Sequence, residues 1–169
     1  KSFWRPYINT IRGVTVDSPL MWDSGRVERE KIKSSAFAQM YDRAYNNAVN
    51  QFRQIQAAQK RHPDIGGPDP HTWNEFLHAY VLSHSRAFDE APRCHNCVAL
   101  YPAVDLANHN FDPSIVRTTK PTLNLGVYVT AAHTIKKNHE IFNQYYSKDP
   151  RNALNCPYVL LAYGIKGPG

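Results

Sequence analysis

Cysteine is scarce in this chain: three residues of 169, Cys94, Cys97 and Cys156. A low, odd count excludes a small secreted module held by disulfides, since such folds replace a large core with paired cysteines. A reducing, intracellular setting fits better. Long apolar runs are missing too, and nothing approaches the 18 residues that a membrane-spanning helix needs. The opening Lys1-Ser2-Phe3-Trp4 lacks the basic stretch and apolar core of a signal peptide, and it lacks an initiator methionine. The chain therefore reads as part of a longer protein. Acidic residues are outnumbered, 14 against 20 basic, for a formal net charge of +6. A field of that sign draws in acidic partners and weakens with salt. The basic residues are scattered, however, and no zinc-finger, homeodomain or RNA-recognition signature is present. Direct nucleic-acid binding is the lesser reading, and ordinary solvated surface the greater. With 42% of residues hydrophobic and 20% charged, the chain has the make-up of one globular domain.

Periodicity supplies the organisation. Phe3 to Trp22 is aromatic and proline-marked without a clear period, and reads as irregular structure packed on a core. From about Val27 to Ala58, Phe37, Met40, Tyr41, Ala44, Ala48, Val49, Phe52 and Ile55 recur at spacings of three and four. That is one face of a long amphipathic helix, and core packing is its plainest role. The helix should stop before Pro63, and Gly66 to Pro70 should be a loop. Thr72 followed by Glu75 has the form of a capping box opening a second helix, with Trp73, Phe76, Leu77, Tyr80 and Val81 on its buried face. Beyond Phe88 the texture changes. Val98 to Val104, Asn124 to Thr130 and Glu140 to Gln144 are strand candidates, with a polar turn at Thr134 to His139. Tyr158 to Ile165 is apolar and is expected to pack on the sheet.

Four short stretches carry the chemistry. They are Ser85-Arg86-Ala87-Phe88; Asp105-Leu106-Ala107-Asn108-His109 running on to Pro113; Glu140-Ile141-Phe142-Asn143-Gln144-Tyr145; and Tyr163-Gly164-Ile165. Taken singly each is weak: an asparagine is more often a turn residue, and a tyrosine at a strand end is usually packing. In this order and at these spacings they resemble the SET-domain protein methyltransferases. Within that family they are similar to the branch of the Rubisco large-subunit lysine methyltransferases.

The resemblance implies an α+β fold: a SET-domain β-fold with a C-terminal pseudoknot and an inserted helical region. Residues 1–90 would be the helical insertion with its lead-in, and 91–169 the C-terminal half of the SET domain. Pro113 would fix the chain as it leaves the pseudoknot crossing. The implied activity is methyl transfer from S-adenosylmethionine to a protein side chain, most often lysine. Asn108 and His109 would bind the cofactor, with Ser85 and Asp105 in the same shell. Arg86 would pair with its carboxylate or hold the channel, where a planar fork suits better than a point charge. A surface ion pair for Arg86 and a turn or cap for Asp105 are the plainer alternatives. Tyr145 would be the catalytic tyrosine beside the transferring methyl, with Tyr163 and Tyr146 on the substrate channel. These residue types suit an in-line displacement, which needs alignment of donor and acceptor more than acid catalysis. The acceptor lysine must lose a proton, which a desolvated channel and a nearby sulfonium favour.

The sequence also departs from the family. The cofactor-wrapping Gly-x-Gly loop of the N-terminal SET half is not found; Gly167-Pro168-Gly169 fits it in letters alone. That half, and the family's helical substrate domain, are expected to lie outside this chain. Tyr146 stands where the family commonly has glycine, which narrows the turn after the active tyrosine. These departures support an alternative: a catalytically inactive SET-fold subunit of a larger assembly. The partner on either reading is a protein substrate or protein assembly, without a membrane. Cys94-His95-Asn96-Cys97 supplies two of the four ligands that zinc needs, with His95, Cys156 or a partner chain as possible completions. No metal is assigned.

Overall fold

The computed structural model describes residues 3–64, 69, 71–88, 99–109, 116–118, 129–131, 134–143 and 156–164. The chain forms two compact units, one of Lys1–Ser85 with Asn155–Gly169 and the other of Arg86–Leu154.

The first unit is helical. Helix α1 spans Arg5–Arg12, a 3-10 turn spans Pro19–Met21, and α2 (Val27–Lys33) precedes α3 (Ala38–Arg61) and α4 (Trp73–Arg86). The opening segment is thus irregular only in part, over residues 14–18 between α1 and the 3-10 turn. Pro6 sits in the first turn of α1, where its missing N–H leaves no bond unmade and its fixed φ suits a helix. The expected single helix from Val27 to Ala58 is two helices. The break falls at Ser34–Phe37, where the Ser35 hydroxyl donates to the Ile32 carbonyl at 2.6 Å and accepts from the Phe37 amide at 3.2 Å. Serine satisfying the main chain with its own side chain ends the ladder there. Phe37 consequently leaves the apolar stripe and is 42% exposed.

The stripe holds from Met40 to Phe52, while Ile55 at its far end is exposed. Leu20, Tyr41, Ala48, Leu77 and Val81 form a buried cluster, with Met40, Ala44, Tyr45, Trp73, Phe76 and Tyr80 packed against it. Burying each large apolar side chain stabilises by about 1.5–3 kcal/mol. Phe52 of α3 meets Trp73 at 5.4 Å and Phe76 at 5.2 Å, so aromatic pairs join α3 to α4. Tyr41 keeps its hydroxyl satisfied by Arg29, whose Nε donates to it at 3.0 Å. Burial raises the Tyr41 phenol above its usual value, and the Arg29 guanidinium opposes that rise. The capping box is present: the Thr72 amide donates to Glu75 at 2.9 Å, and the Glu75 amide donates to the Thr72 hydroxyl at 3.3 Å.

Helix α5 (Cys156–Tyr163) belongs to this unit. The apolar segment expected on the sheet is helical, and its Leu161 joins the helical core. Ser18, fully buried, donates to the Leu161 carbonyl at 2.7 Å. Gly164 follows α5 with φ +66°, its amide bonded to the Leu160 carbonyl at 2.9 Å. A left-handed residue just past a helix end is the usual place for glycine.

The second unit carries the described strands. Strand β1 (Asn108–His109) pairs in parallel with β4 (Phe142–Asn143), and β2 (Val116–Thr118) pairs antiparallel with β3 (Val129–Ala131). Part of the expected Val98–Val104 strand is a turn. Ala99 makes one bridge to Phe88, and the chain then bends, with Ala103 at φ 75°. Residues 124–128 and Gln144 of the other two strand expectations lie outside the described residues, as does Pro113. The polar turn before β4 is present, with Asn138 at φ 67°. Among the described residues, no helix is long and apolar enough to cross a membrane.

Candidate functional site

Four of the singled-out residues, Arg86, Asp105, Asn108 and His109, fall in the second unit. The turn that delivers them is built locally. The Val104 and Asp105 amides both donate to the Tyr101 carbonyl at 3.1 Å, and the Tyr101 ring packs on Phe88 at 5.4 Å. Arg86 locks the turn: its Nη1 donates to the Asp105 carbonyl at 2.6 Å. Asp105 itself is 2% exposed. Arg86 is therefore not a surface ion pair; it holds the main chain of a buried aspartate.

Directly after that turn the chain enters β1. The register sets Asn108 opposite Phe142 and His109 opposite Asn143, so the Asn-His pair lies beside the strand whose sequence continues to Tyr145. Asn108 is exposed, and its Nδ2 donates to Glu140 Oε1 at 2.6 Å, joining residues 32 apart in the chain. His109 is half-buried. Burial lowers its pKa from the usual 6.5, while a hydrogen bond to the Asn143 main chain opposes the shift.

A depressed histidine pKa means folding favours the neutral ring. The stabilisation is complete above about pH 6.5 and is lost as pH falls through the folded-state value. Chemical denaturation should therefore show stability falling as pH drops from 7.5 to below 6.5, with a flatter profile in His109→Gln. A His109→Gln profile as steep as the wild type would contradict this assignment.

Asn143 is 2% exposed, and its side-chain amide has no hydrogen-bond partner among the described residues. It lies beside a cavity of about 340 Å³ lined with Ala103, Val104, Ala107, Ala131, Ile135 and Ile141. Neither Asn143 nor Glu140 stood out as a site residue in the sequence. An acid directly before an apolar strand was the available signal for Glu140, and a polar residue within that strand was the signal for Asn143.

The other singled-out residues are placed differently. Ser85 is buried in the helical unit, and its hydroxyl donates to the Leu82 carbonyl at 2.8 Å, an ordinary bond back into its own helix. Tyr163 is half-buried in α5 of the same unit. Tyr145 and Tyr146 lie outside the described residues, as do Cys94, His95 and Cys97. Among the described residues no cluster of three or more histidine, cysteine, aspartate or glutamate side chains is arranged to hold a metal.

No protein-family model matches the chain, and no curated protein matches it. Among solved structures it is similar to a crystal structure of the SET domain of LSMT bound to lysine and AdoHcy. That match has a TM-score of 0.69 and 22% sequence identity, and covers 99% of this chain and 37% of that one. The chain thus has a SET-domain fold, an α+β architecture, and spans little more than a third of the length of that protein.

Proposed function

We propose that this SET-fold chain takes part in methyl transfer from S-adenosylmethionine to a lysine side chain of another protein. The similar structure holds lysine and AdoHcy, and AdoHcy is what remains of S-adenosylmethionine once the methyl has left. Fold alone does not fix chemistry. The observation that carries the reading is the β1–β4 pairing, which sets Asn108 and His109 against Phe142 and Asn143, the strand whose sequence leads on to Tyr145.

The residues present fit such a cofactor. Glu140 takes the Asn108 Nδ2, leaving Oδ1 to accept from a protonated amino group. Arg86 spends one nitrogen on the Asp105 carbonyl, and its planar fork retains donors for a carboxylate. When bound, S-adenosylmethionine supplies an electrophilic methyl on a sulfonium. By resemblance Tyr145 would stand beside that methyl, and Tyr146 would border the lysine channel. Their phenols are polar without competing strongly as nucleophiles at neutral pH.

Calorimetric titration with S-adenosylmethionine tests this. A saturable heat is expected, weakened about tenfold or more in Asn108→Ala by loss of a bond to a charged group. Labelled methyl should appear on lysine in a protein acceptor. No heat at millimolar cofactor would overturn the reading.

A further inference from the structure

We infer that Glu140 is a positioning residue. It sets which end of the Asn108 amide faces a bound ligand, and so makes the site selective for ligands bearing a cationic amino group. The inference rests on the methyltransferase reading for the identity of that ligand.

An asparagine amide has two unlike ends, and rotation about its last torsion exchanges them at little intrinsic cost. A carboxylate removes that freedom because, ionised, it accepts and never donates. Glu140 Oε1 lies 2.6 Å from Asn108 Nδ2, the length of a charge-assisted bond. The reversed amide would set oxygen against oxygen. The contact is also fixed from outside the two side chains: Asn108 is in register with Phe142, two residues beyond Glu140, so strand pairing holds both bases in place. The free end of Asn108 is then Oδ1, an acceptor.

Two consequences follow for a ligand. An ammonium meets an oxygen it can donate to, and the Glu140 carboxylate on the other end of that amide adds a modest, salt-sensitive attraction. A neutral donor gains the first of these alone, and an anionic group gains neither. Glutamine at 140 has the same size but can donate as well as accept, so both orientations of Asn108 become populated and the selectivity should collapse.

The full chain is titrated by calorimetry with S-adenosylmethionine and with its analogue lacking the α-amino group, in wild type and Glu140→Gln. In the wild type, loss of the amino group should weaken binding about tenfold. In Glu140→Gln that penalty should shrink to about twofold, the analogue itself binding both proteins alike. An equal loss for both ligands would mean that Glu140 merely supports the strand pair, and an unchanged penalty would mean that it does not orient the amide; either overturns the inference. A wild type that fails to bind S-adenosylmethionine overturns the methyltransferase reading and the ligand named here. The orientation itself is read without any ligand. The Asn108 side-chain amide resonances should shift between wild type and Glu140→Gln, and resonances blind to the substitution would overturn the hold.

Discussion

Gly164→Ala is expected to lower the unfolding free energy by about 3–5 kcal/mol, a loss at the top of the usual range for one substitution. Two effects add. The residue sits at φ +66°, where a side chain is strained. An added Cβ would also lie 2.8 Å from the Asp17 nitrogen and 2.9 Å from the Asp17 carbonyl carbon. Both are main-chain atoms, so no side chain can rotate aside. Relief requires moving the Asp17–Ser18 segment, and Ser18 is fully buried with its hydroxyl committed to the Leu161 carbonyl. Gly25, with nothing within 4 Å of a built Cβ, is the control: Gly25→Ala should change stability little. Denaturant titration of both variants checks the contrast, and a Gly164→Ala loss below about 1 kcal/mol would refute the close approach.

Arg86→Ala is expected to cost about 2–3 kcal/mol in stability, because it leaves a carbonyl of a nearly buried residue without its charged donor. Under the methyltransferase reading it should also weaken S-adenosylmethionine binding by at least about tenfold, since the turn it holds leads straight into Asn108 and His109. Arg86→Lys separates the two roles. Lysine keeps the charge but has one compact ammonium, which cannot serve a main-chain carbonyl and a carboxylate in a fixed plane. Stability should recover in part while affinity stays low. Denaturation alongside calorimetry reads both quantities, and full recovery of affinity in Arg86→Lys would show that the fork is not used.

The sequence revealed most where the physics is local. The stripe from Met40 to Phe52 and the face of α4 follow a 3.6-residue period, and the Thr72–Glu75 cap depends on four consecutive residues. Misreadings arose where two local signals competed. Around Ser34 and Ser35 an apolar period runs through side chains that bond their own backbone, and the backbone bonds won. In α1 the proline that helped mark the segment as irregular is a helix starter, because its place within the turn decides its effect. For α5, an apolar run of eight residues fits a buried strand or a buried helix equally, and tertiary packing chose. The site was legible as an ordered set of motifs, but not as contacts. Nothing near Arg86 in the chain announces that it reaches the Asp105 carbonyl, 19 residues on, and nothing near Asn108 announces Glu140. Such partners are set by strand register, which no local pattern encodes.

The bond from Ser18 to Leu161 spans 143 residues. On a ribosome, the pocket that receives it stays open until nearly all of this sequence has emerged, while α3 and α4 can already pair. Closing so long a loop costs about 0.6 kcal/mol more for each doubling of its length, a modest penalty at equilibrium but a delay in time. Until α5 arrives, the face of Leu20, Tyr41 and Val81 that Leu161 covers is open to chaperones and to like chains. The seam that cannot seal before α5 has emerged is thus the one that Gly164 allows to shut.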